Sequence, residues 1–556
     1  MEKTDYRLRM DNILNDMSIY RILRQDPTLR LQTKNNQLVE KLHKLGLITK
    51  TEKYKMTTHT AIPPRMYGLP KVHKENMPLR PICSMINAPS YNLCKYLTNI
   101  LKNLTMKSVF NVKSAIEFKD KVNDNYICDD ERFVSFDVIS LFPSIPTDFA
   151  IQAIRAKWEE IKQYTDMPKN LFMEIVTFCI CENRYFKYEE RIYTQLKGLP
   201  MGSPASPIVA DIVMEEILGK VVKNTRLLSK YVDDVFALVK EDKLDETFDL
   251  LNSYHKDIQF KMELEKDGKL PFLDSLVCKI SNKIKVDWYQ KPTSSGRIIN
   301  YLSKHPKSMI FNTAKNFIRR VLDTSDSIFH PENKKRIEHI LKMNDFPSGI
   351  IRRLINTHHK GTKSKIEGKK PITYKSIIYI PGFSERLQCS NVYDKERIGI
   401  AHKPAYTNQI FFKNMKSKLE TMEKNNIVYK IPCAGDGDNI CAKEYVGTTK
   451  NKLKTRIAGH RSDIKCLQSS NTHKTALAAH CAESGHKPDF DAVSILQQEQ
   501  HYNKRFTLEM LHIIDTDENK RLNYKKDSEM CAHIYRHLLD SRKSVQQQHL
   551  EQTLPT

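Results

Sequence analysis

The chain has 556 residues with 90 Lys and Arg against 66 Asp and Glu, a formal charge of +24. That length exceeds one ordinary compact core, so two or more domains are expected, and the basic excess points to a polyanionic partner, nucleic acid before an anionic membrane surface. The opening MEKTDYRLRM has no apolar stretch behind its charges and no run of about 18 apolar residues occurs anywhere, so secretion and membrane spanning are both disfavoured.

Residues 1–62 read as a helical N-terminal extension, with Ile13, Met17, Tyr20 and Leu23 and then Leu38, Leu42 and Leu45 at helical spacing before the break at Pro63 and Pro64. Residues 63–265 change to short apolar runs punctuated by Pro and Gly: MYGLPKVHK, PLRPICSMINAP, RFVSFDVISLFPSIP, KGLPMGSPASPIVAD and LLSKYVDDVFALV. Residues 266–350 begin with a turn and strands (LPFLDSLVCKI, IKVDWYQ) and continue as basic helices with aromatic interruptions (SMIFNTAKNFIRRVL). Residues 351–424 have the composition of a basic linker, with eight Lys or Arg and one acid between Arg352 and Lys375. Residues 425–540 form a second, small α/β pattern, two short strands (NIVYKIPC, KEYVG) followed by an amphipathic basic helix, and 541–556 are a polar tail. The 12 cysteines are scattered, which in a non-secreted chain favours reduced thiols and one metal site over disulfides.

Transfer of a nucleotide to a 3′ oxygen needs two divalent metals, and therefore carboxylates converging from separate strands. Asp137 closes the strand RFVSF; Asp233 and Asp234 lie between the apolar runs LLSKYV and VFALV, where a tight hairpin carries them to the sheet edge. Asp137 and Asp233 are the expected metal ligands, with a smaller share for Asp234. Phe142, five residues after Asp137, either stacks beneath the sugar and rejects a 2′-hydroxyl or is a core phenylalanine. GLPMGSPASP, with Gly202 in its turn, offers backbone amides and a helix start to a templating base and nucleotide, or merely enters the helix IVADIVMEEI. Lys71, Lys74 and Arg80 flank the turn VHKENMPLRPI, where they either grip a triphosphate or, for the lysines, remain solvated.

The ordered set RPICSMINAP, SFDVISLFPSIP, GLPMGSPASP, YVDD and LPFLD resembles the reverse transcriptases of Penelope-like retroelements, relatives of telomerase. MYGLPKVHK and WYQKPTSSGRIINYLSKHP are similar to signatures of that group rather than to retroviral ones. The resemblance covers roughly Arg65 to Asp540. It implies an α+β multidomain chain: a right-hand polymerase with fingers and palm over 63–265 and the end of the palm with a helical thumb over 266–350, using Mg²⁺ or Mn²⁺. The sequence departs from many reverse transcriptases at Met201, where a Gln often precedes the motif glycine.

A nuclease needs activated water, a metal for the leaving oxygen and a cation for the phosphorane. Tyr429 and Tyr445 lie on the two strands of the C-terminal unit, Arg456 and His460 stand four apart on one face of LKTRIAGH, and Glu509 lies in RFTLEMLHI, where it could equally be an exposed helix acid. NIVYKIPC and KEYVGTTKNKLKTRIAGH resemble the GIY-YIG endonuclease domain found at the C-terminus of many Penelope-like elements. The first block has Ile427 and Val428 without the eponymous glycine, whereas the second keeps Tyr445 and Gly447. The resemblance implies that Tyr429 and Tyr445 shape or activate the water, Arg456 neutralises the phosphate, Glu509 binds Mg²⁺ or Mn²⁺, and Asn523 completes the set. Cys433, Cys441, His480 and His486 make a C-x7-C…H-x5-H pattern whose thiolates and imidazoles suit Zn²⁺, unless they are core residues; Cys481 and His473 are nearby substitutes. Penelope-type endonucleases carry a CCHH set there, which implies a structural zinc.

Together the resemblances imply target-primed synthesis: the C-terminal unit nicks target DNA, and the 3′-hydroxyl primes copying of the element's own RNA with dNTPs, in the nucleus after at least transient passage through the cytoplasm. The competing readings are a decayed copy that only binds nucleic acid, a nuclease that has lost synthesis, and a telomerase-like enzyme.

Overall fold

The computed structural model describes residues 1–72, 75–359, 373–389, 398–407, 411, 416, 419–436, 441–466, 475–533, 535 and 537. The first helix, Lys3–Leu14, buries Met10 and Leu14 against a sheet, and β1 (Tyr20–Leu23) follows after a turn. Residues 1–62 hold three helices, and the departure from the helical reading is confined to the segment around β1. Asp16 accepts hydrogen bonds from the Ser18 amide and hydroxyl, which closes a turn and ends the helix; Met17, placed on the apolar stripe by its spacing, is 69% exposed, and β1 pairs with a strand 170 residues further on. The next helix, Thr28–Lys44, does have a buried stripe (Leu31, Leu38, Val39, Leu42), and Thr49 and Glu52 form a capping box at the start of Lys50–Met56. Both helices join the largest hydrophobic core, so the segment is built into the polymerase-like body.

That body contains β2 (Arg65–Pro70), β3 (Leu79–Ser84), β4 (Glu131–Val138), β5 (Tyr185–Tyr188), β6 (Arg191–Gln195), β7 (Thr225–Tyr231), β8 (Asp234–Lys240) and β9 (Phe260–Leu264). One sheet runs β1-β6-β5-β2-β3 and a second β7-β8-β4-β9. β8 buries Val235 to Val239 without interruption, as a central strand covered on both faces does. The helix Ser206–Val221 is apolar on nearly all sides, burying Val209, Ile212, Val213, Met214, Ile217 and Val221 in the main core.

β10 (Lys269–Phe272), β11 (Ser275–Ile280) and β12 (Lys283–Trp288) form a meander packed through Phe272 onto Phe118, Phe133 and Phe236. Three helices follow, Lys307–Thr324, His330–Met343 and Ser348–His359, around a separate core of Ile310, Ile318, Ile337, Leu341, Ile351 and Leu354 capped by Trp288. The basic linker expected over 351–424 needs correction at both ends. Its first residues finish the third helix, with Arg352 and Arg353 exposed, and β13 (Thr373–Ile378) and β14 (Ile398–Lys403) pair in parallel with the helix Phe383–Cys389 between them. Residues 360–372, which hold most of the basic strip, lie outside the described residues.

The C-terminal unit comprises β15 (Ile427–Gly435), β16 (Glu444–Thr449), β17 (Lys487–Pro488) and β18 (Ser494–Gln498), all antiparallel about β15, with helices Leu453–Cys466, Ala476–Ser484 and Tyr502–Asp515. The chain entering it crosses the first sheet: Lys416 donates to the Ser84 hydroxyl at 2.6 Å and Lys187 pairs with Glu420 at 3.0 Å. Residues 541–556, the polar tail, lie outside the described residues, and no described helix is long and apolar enough to cross a membrane.

Candidate active sites

The first site lies at one end of the β7-β8-β4-β9 sheet. Tyr231 pairs with Asp234, leaving Val232 and Asp233 as a two-residue turn. Val232 has φ +58°, the sign that type II′ hairpins place on their first central residue, normally a glycine. A β-branched residue there is strained, and the strain is borne at the tip that presents Asp233. In register across the sheet, Asp234 of β8 faces Asp137 of β4, and Asp137 faces Lys261 of β9. Directly opposed residues share a face, so two carboxylates and an ammonium stand in one row with Asp233 beside it. Burial first, and then the charges of Asp233 and Asp137, push the Asp234 carboxyl up to about 6, with Lys291 opposing. Asp234 is open to solvent, so crowding by the two like charges contributes more than burial does.

The turn over 198–206 wraps this end. Leu199 donates its amide to the Phe142 carbonyl at 2.8 Å, and Phe142, on the short helix Leu141–Ser144, packs half-buried against the main core. Gly202 has φ +76°, and a Cβ there would sit 1.7 Å from the Cys83 carbonyl oxygen, so only glycine lets the turn close on β3. Arg80 is exposed on β3 opposite Leu69, and the Lys71 amide donates to Pro78 at 2.9 Å across the same hairpin. Lys74 lies outside the described residues. Lys261 and Lys291 escaped the sequence reading, because a lysine on an edge strand or after a strand looks like any solvated lysine until register places it.

The second site is in the C-terminal unit. Tyr429 is fully buried on β15; its hydroxyl meets His460 Nε2 at 2.8 Å and accepts from Arg456 Nε at 3.1 Å. Gly447 faces Tyr429 across β15 and β16, and a Cβ on it would lie 2.7 Å from the Tyr429 hydroxyl. Tyr445, two residues earlier on the same face, packs edge-on to His460. Burial, opposed by Arg456, raises the Tyr429 phenol to about 12; burial and then Arg456 lower His460 to about 4. His460 is therefore neutral at pH 7. Its Nδ1 is buried with no hydrogen-bond partner among the described residues, which favours the tautomer carrying the proton on Nε2 and donating to Tyr429. Burial and then Asp527 raise the Glu509 carboxyl to about 7, while the Thr448 amide, Arg456 and Arg505 oppose the rise.

Asn523 lies beside Tyr445 and Glu509 and is turned to the backbone of β16. Its amide accepts from the Val446 N–H and donates to the Val446 carbonyl, both at 2.9 Å, so it clamps the outer edge of β16 and through it positions Tyr445. Cys433, Cys441, His480 and His486 present ligand atoms all within 4.8 Å of one another, and Cys481 is outside the group. The separations to His480 Nε2 are 3.3 Å from Cys433 Sγ, 3.7 Å from Cys441 Sγ and 3.3 Å from His486 Nδ1, which suit a tetrahedral ion. His473 lies outside the described residues, and the described cysteines are free thiols.

Comparison with known proteins matches residues 72–270 to the family described as reverse transcriptase (RNA-dependent DNA polymerase) and residues 297–356, the three helices after the meander, to the animal helix-turn-helix domain. No curated protein matches. Solved structures that match include telomerase from Candida albicans in complex with a TWJ fragment of telomeric RNA, at 11% identity over 66% of this chain and 77% of that one, TM-score 0.35. Apo telomerase from Candida tropicalis matches at 13% identity over 60% of this chain and 62% of that one, TM-score 0.34. The chain thus contains a reverse transcriptase domain, which supports RNA-directed DNA polymerase activity, and the carboxylate row of the first site lies within it.

Proposed function

We propose that this reverse transcriptase domain serves a Penelope-like retroelement, and that the C-terminal unit is a GIY-YIG endonuclease whose nick in target DNA supplies the primer. The convergence of Tyr429, Tyr445, Arg456, His460 and Glu509 on one small sheet carries the second half of the reading. The partners are the element's own RNA as template, target DNA and dNTPs, met in the nucleus. The exposed faces of the helices over 297–356, with Lys315, Arg319, Arg352 and Arg353, are the surfaces for the duplex.

In synthesis, the primer 3′ oxygen attacks the α-phosphorus of the dNTP, pyrophosphate leaves, and the hydroxyl proton is lost. Reverse transcriptase domains generally use Mg²⁺, and bound at Asp137 and Asp233 it would lower the charge on the attacking and leaving oxygens. Arg80 grips the triphosphate from the β2–β3 hairpin, with Lys71 on the same hairpin, and Phe142 closes the floor against a 2′-hydroxyl. Phe142→Val is expected to raise rNTP incorporation relative to dNTP by roughly a hundredfold, with dNTP addition as the internal control. Because Asp234 holds a proton up to about pH 6, the Mg²⁺ concentration for half-maximal extension is expected to rise as pH falls from 7.5 to 5.5. Titrations of Mg²⁺ at the two pH values read this directly.

In nicking, water attacks the phosphorus and the 3′ oxygen leaves with a proton. The Tyr429 phenol, at about 12, keeps its proton at neutral pH and orients the water, while Arg456 neutralises the charge growing on the phosphate. A metal held by Glu509 would stabilise the departing oxygen. Cys433, Cys441, His480 and His486 would hold a zinc ion, which would tie β15 to the helix Ala476–Ser484 as a structural clamp. Cys441→Ser is expected to reduce zinc from about one equivalent per chain and to lower the melting temperature of this unit, leaving primer extension intact. Elemental analysis with calorimetry checks both.

The test of the whole reading mixes the protein with supercoiled plasmid, an RNA template and labelled dNTPs. Complementary DNA covalently joined to nicked plasmid supports it. Synthesis from a supplied primer without nicking removes the nuclease; nicking without synthesis leaves a nuclease; binding alone leaves a decayed copy.

A further inference from the structure

A cavity of about 420 Å³ opens beside Glu509, between the helix Tyr502–Asp515 and the turn over 523–530. Its size is within the ~300–1,000 Å³ of small-ligand sites. Its apolar lining includes Phe506, Tyr524, Met510 and Met530, of which Tyr524 is 40% and Met530 80% exposed. Phe506 is backed by Tyr502, stacked at 6.1 Å and 10°, and Lys526 lies over the Tyr524 ring at 5.2 Å. A half-buried ring backed by a stacked neighbour and an exposed ring under a cation form a platform for another flat ring.

The polar groups of the cavity narrow the ligand. Asn523 is oriented by Val446, which takes one acceptor and one donor position of its amide. Thr475 is occupied as the cap of Ala476–Ser484, accepting from the Ala478 amide. Glu509 and Asp527 supply the carboxylates of the cavity, and Lys526 an ammonium already held over the Tyr524 ring. Asp527 receives the Tyr524 amide at 3.1 Å on one oxygen, and a carboxylate has lone pairs for a second donor. Tyr445 and Glu509 belong both to this cavity and to the proposed cutting site, so a group seated here is attached to the nucleotide being cut.

We infer that the cavity takes one nucleobase extruded from the DNA duplex next to the cut phosphodiester, a base whose exocyclic amine donates to Asp527. The inference rests on the nuclease reading for its biological use but not for its test. Thymine, which has no exocyclic amine, is the disfavoured occupant. Stacking by Phe506 and Tyr524 replaces the stacking lost from the duplex.

The experiment uses the full chain with Ca²⁺ and a randomised duplex in which every cytosine is 5-iodocytosine, irradiates it, and maps the crosslinked peptides; nicking of the same library is read separately with Mg²⁺. Crosslinks at Tyr524 or Phe506 are expected, falling about tenfold, or about 1.4 kcal/mol, in Asp527→Asn, which keeps the acceptor for the Tyr524 amide. Phe506→Leu, which preserves the helix, is expected to shift the remaining crosslink to Tyr524. Crosslinks confined to other surfaces, or undiminished by Asp527→Asn, overturn the inference whether or not the DNA is nicked. Crosslinks in place without any nicking overturn the nuclease reading and leave the base pocket standing.

Discussion

Asp233→Asn is expected to abolish RNA-templated primer extension, a loss of about a thousandfold or more, because metal stabilisation of the transferring phosphate is worth several kcal/mol and each 1.4 kcal/mol is tenfold. The change keeps the side-chain shape and removes the charge. Asp233 occupies a hairpin tip, with its strands anchored below by Lys230, fully buried and paired with Asp211, so fold and RNA affinity should survive. Asp234→Asn is expected to lose much less. It removes the carboxylate most crowded by its neighbours, and Asp137 and Asp233 remain to hold charge. A single-turnover assay on an annealed RNA template and DNA primer, with thermal melting alongside, separates the two variants. Equal, small losses would remove Asp233 from its assigned role.

The second large effect belongs to Glu509→Gln, which is expected to reduce nicking of supercoiled plasmid by at least about a hundredfold while primer extension continues. Glu509 is raised to about 7 by burial and by Asp527, so near neutral pH it holds a proton part of the time and yields it to a bound metal. Nicking by the parent at limiting Mg²⁺ is therefore expected to climb as pH rises through 7, and the residual activity of the Gln variant to be flat. Arg456→Lys offers a second view of the same site: it preserves charge but loses the guanidinium contact to Tyr429, and with it the orientation of the phenol. Nicking that survives Glu509→Gln unchanged would remove Glu509 from its assigned role.

Sequence was most informative where chemistry fixes spacing. The carboxylates of a two-metal site must follow a strand and tip a hairpin, and Asp137 and the Tyr231–Asp234 tetrapeptide are readable for that reason. Gly202 and Gly447 are legible as well, each allowing a backbone or a phenol to come closer than any side chain permits. Long-range register is not encoded locally. Lys261 joins the carboxylate row only because β9 pairs with β4, and β1 becomes a strand only because β6 offers it an edge. The parallel pair of β13 and β14 was hidden for a related reason: β13 is mostly exposed, β14 mostly half-buried, and neither carries the apolar alternation that marks a strand of a half-buried sheet. Asn523 depends on register in the same way, since its clamp on the Val446 backbone is made across 77 residues.

The most direct measurement supplies the parent protein with Mg²⁺, an RNA template, an annealed DNA primer and dNTPs, and follows primer length. Extension to the template end, directed by the RNA sequence and strongly preferring dNTPs over rNTPs, is the expected result. No extension on several templates, from protein that is folded and bound to the RNA, would contradict RNA-directed DNA synthesis by this chain.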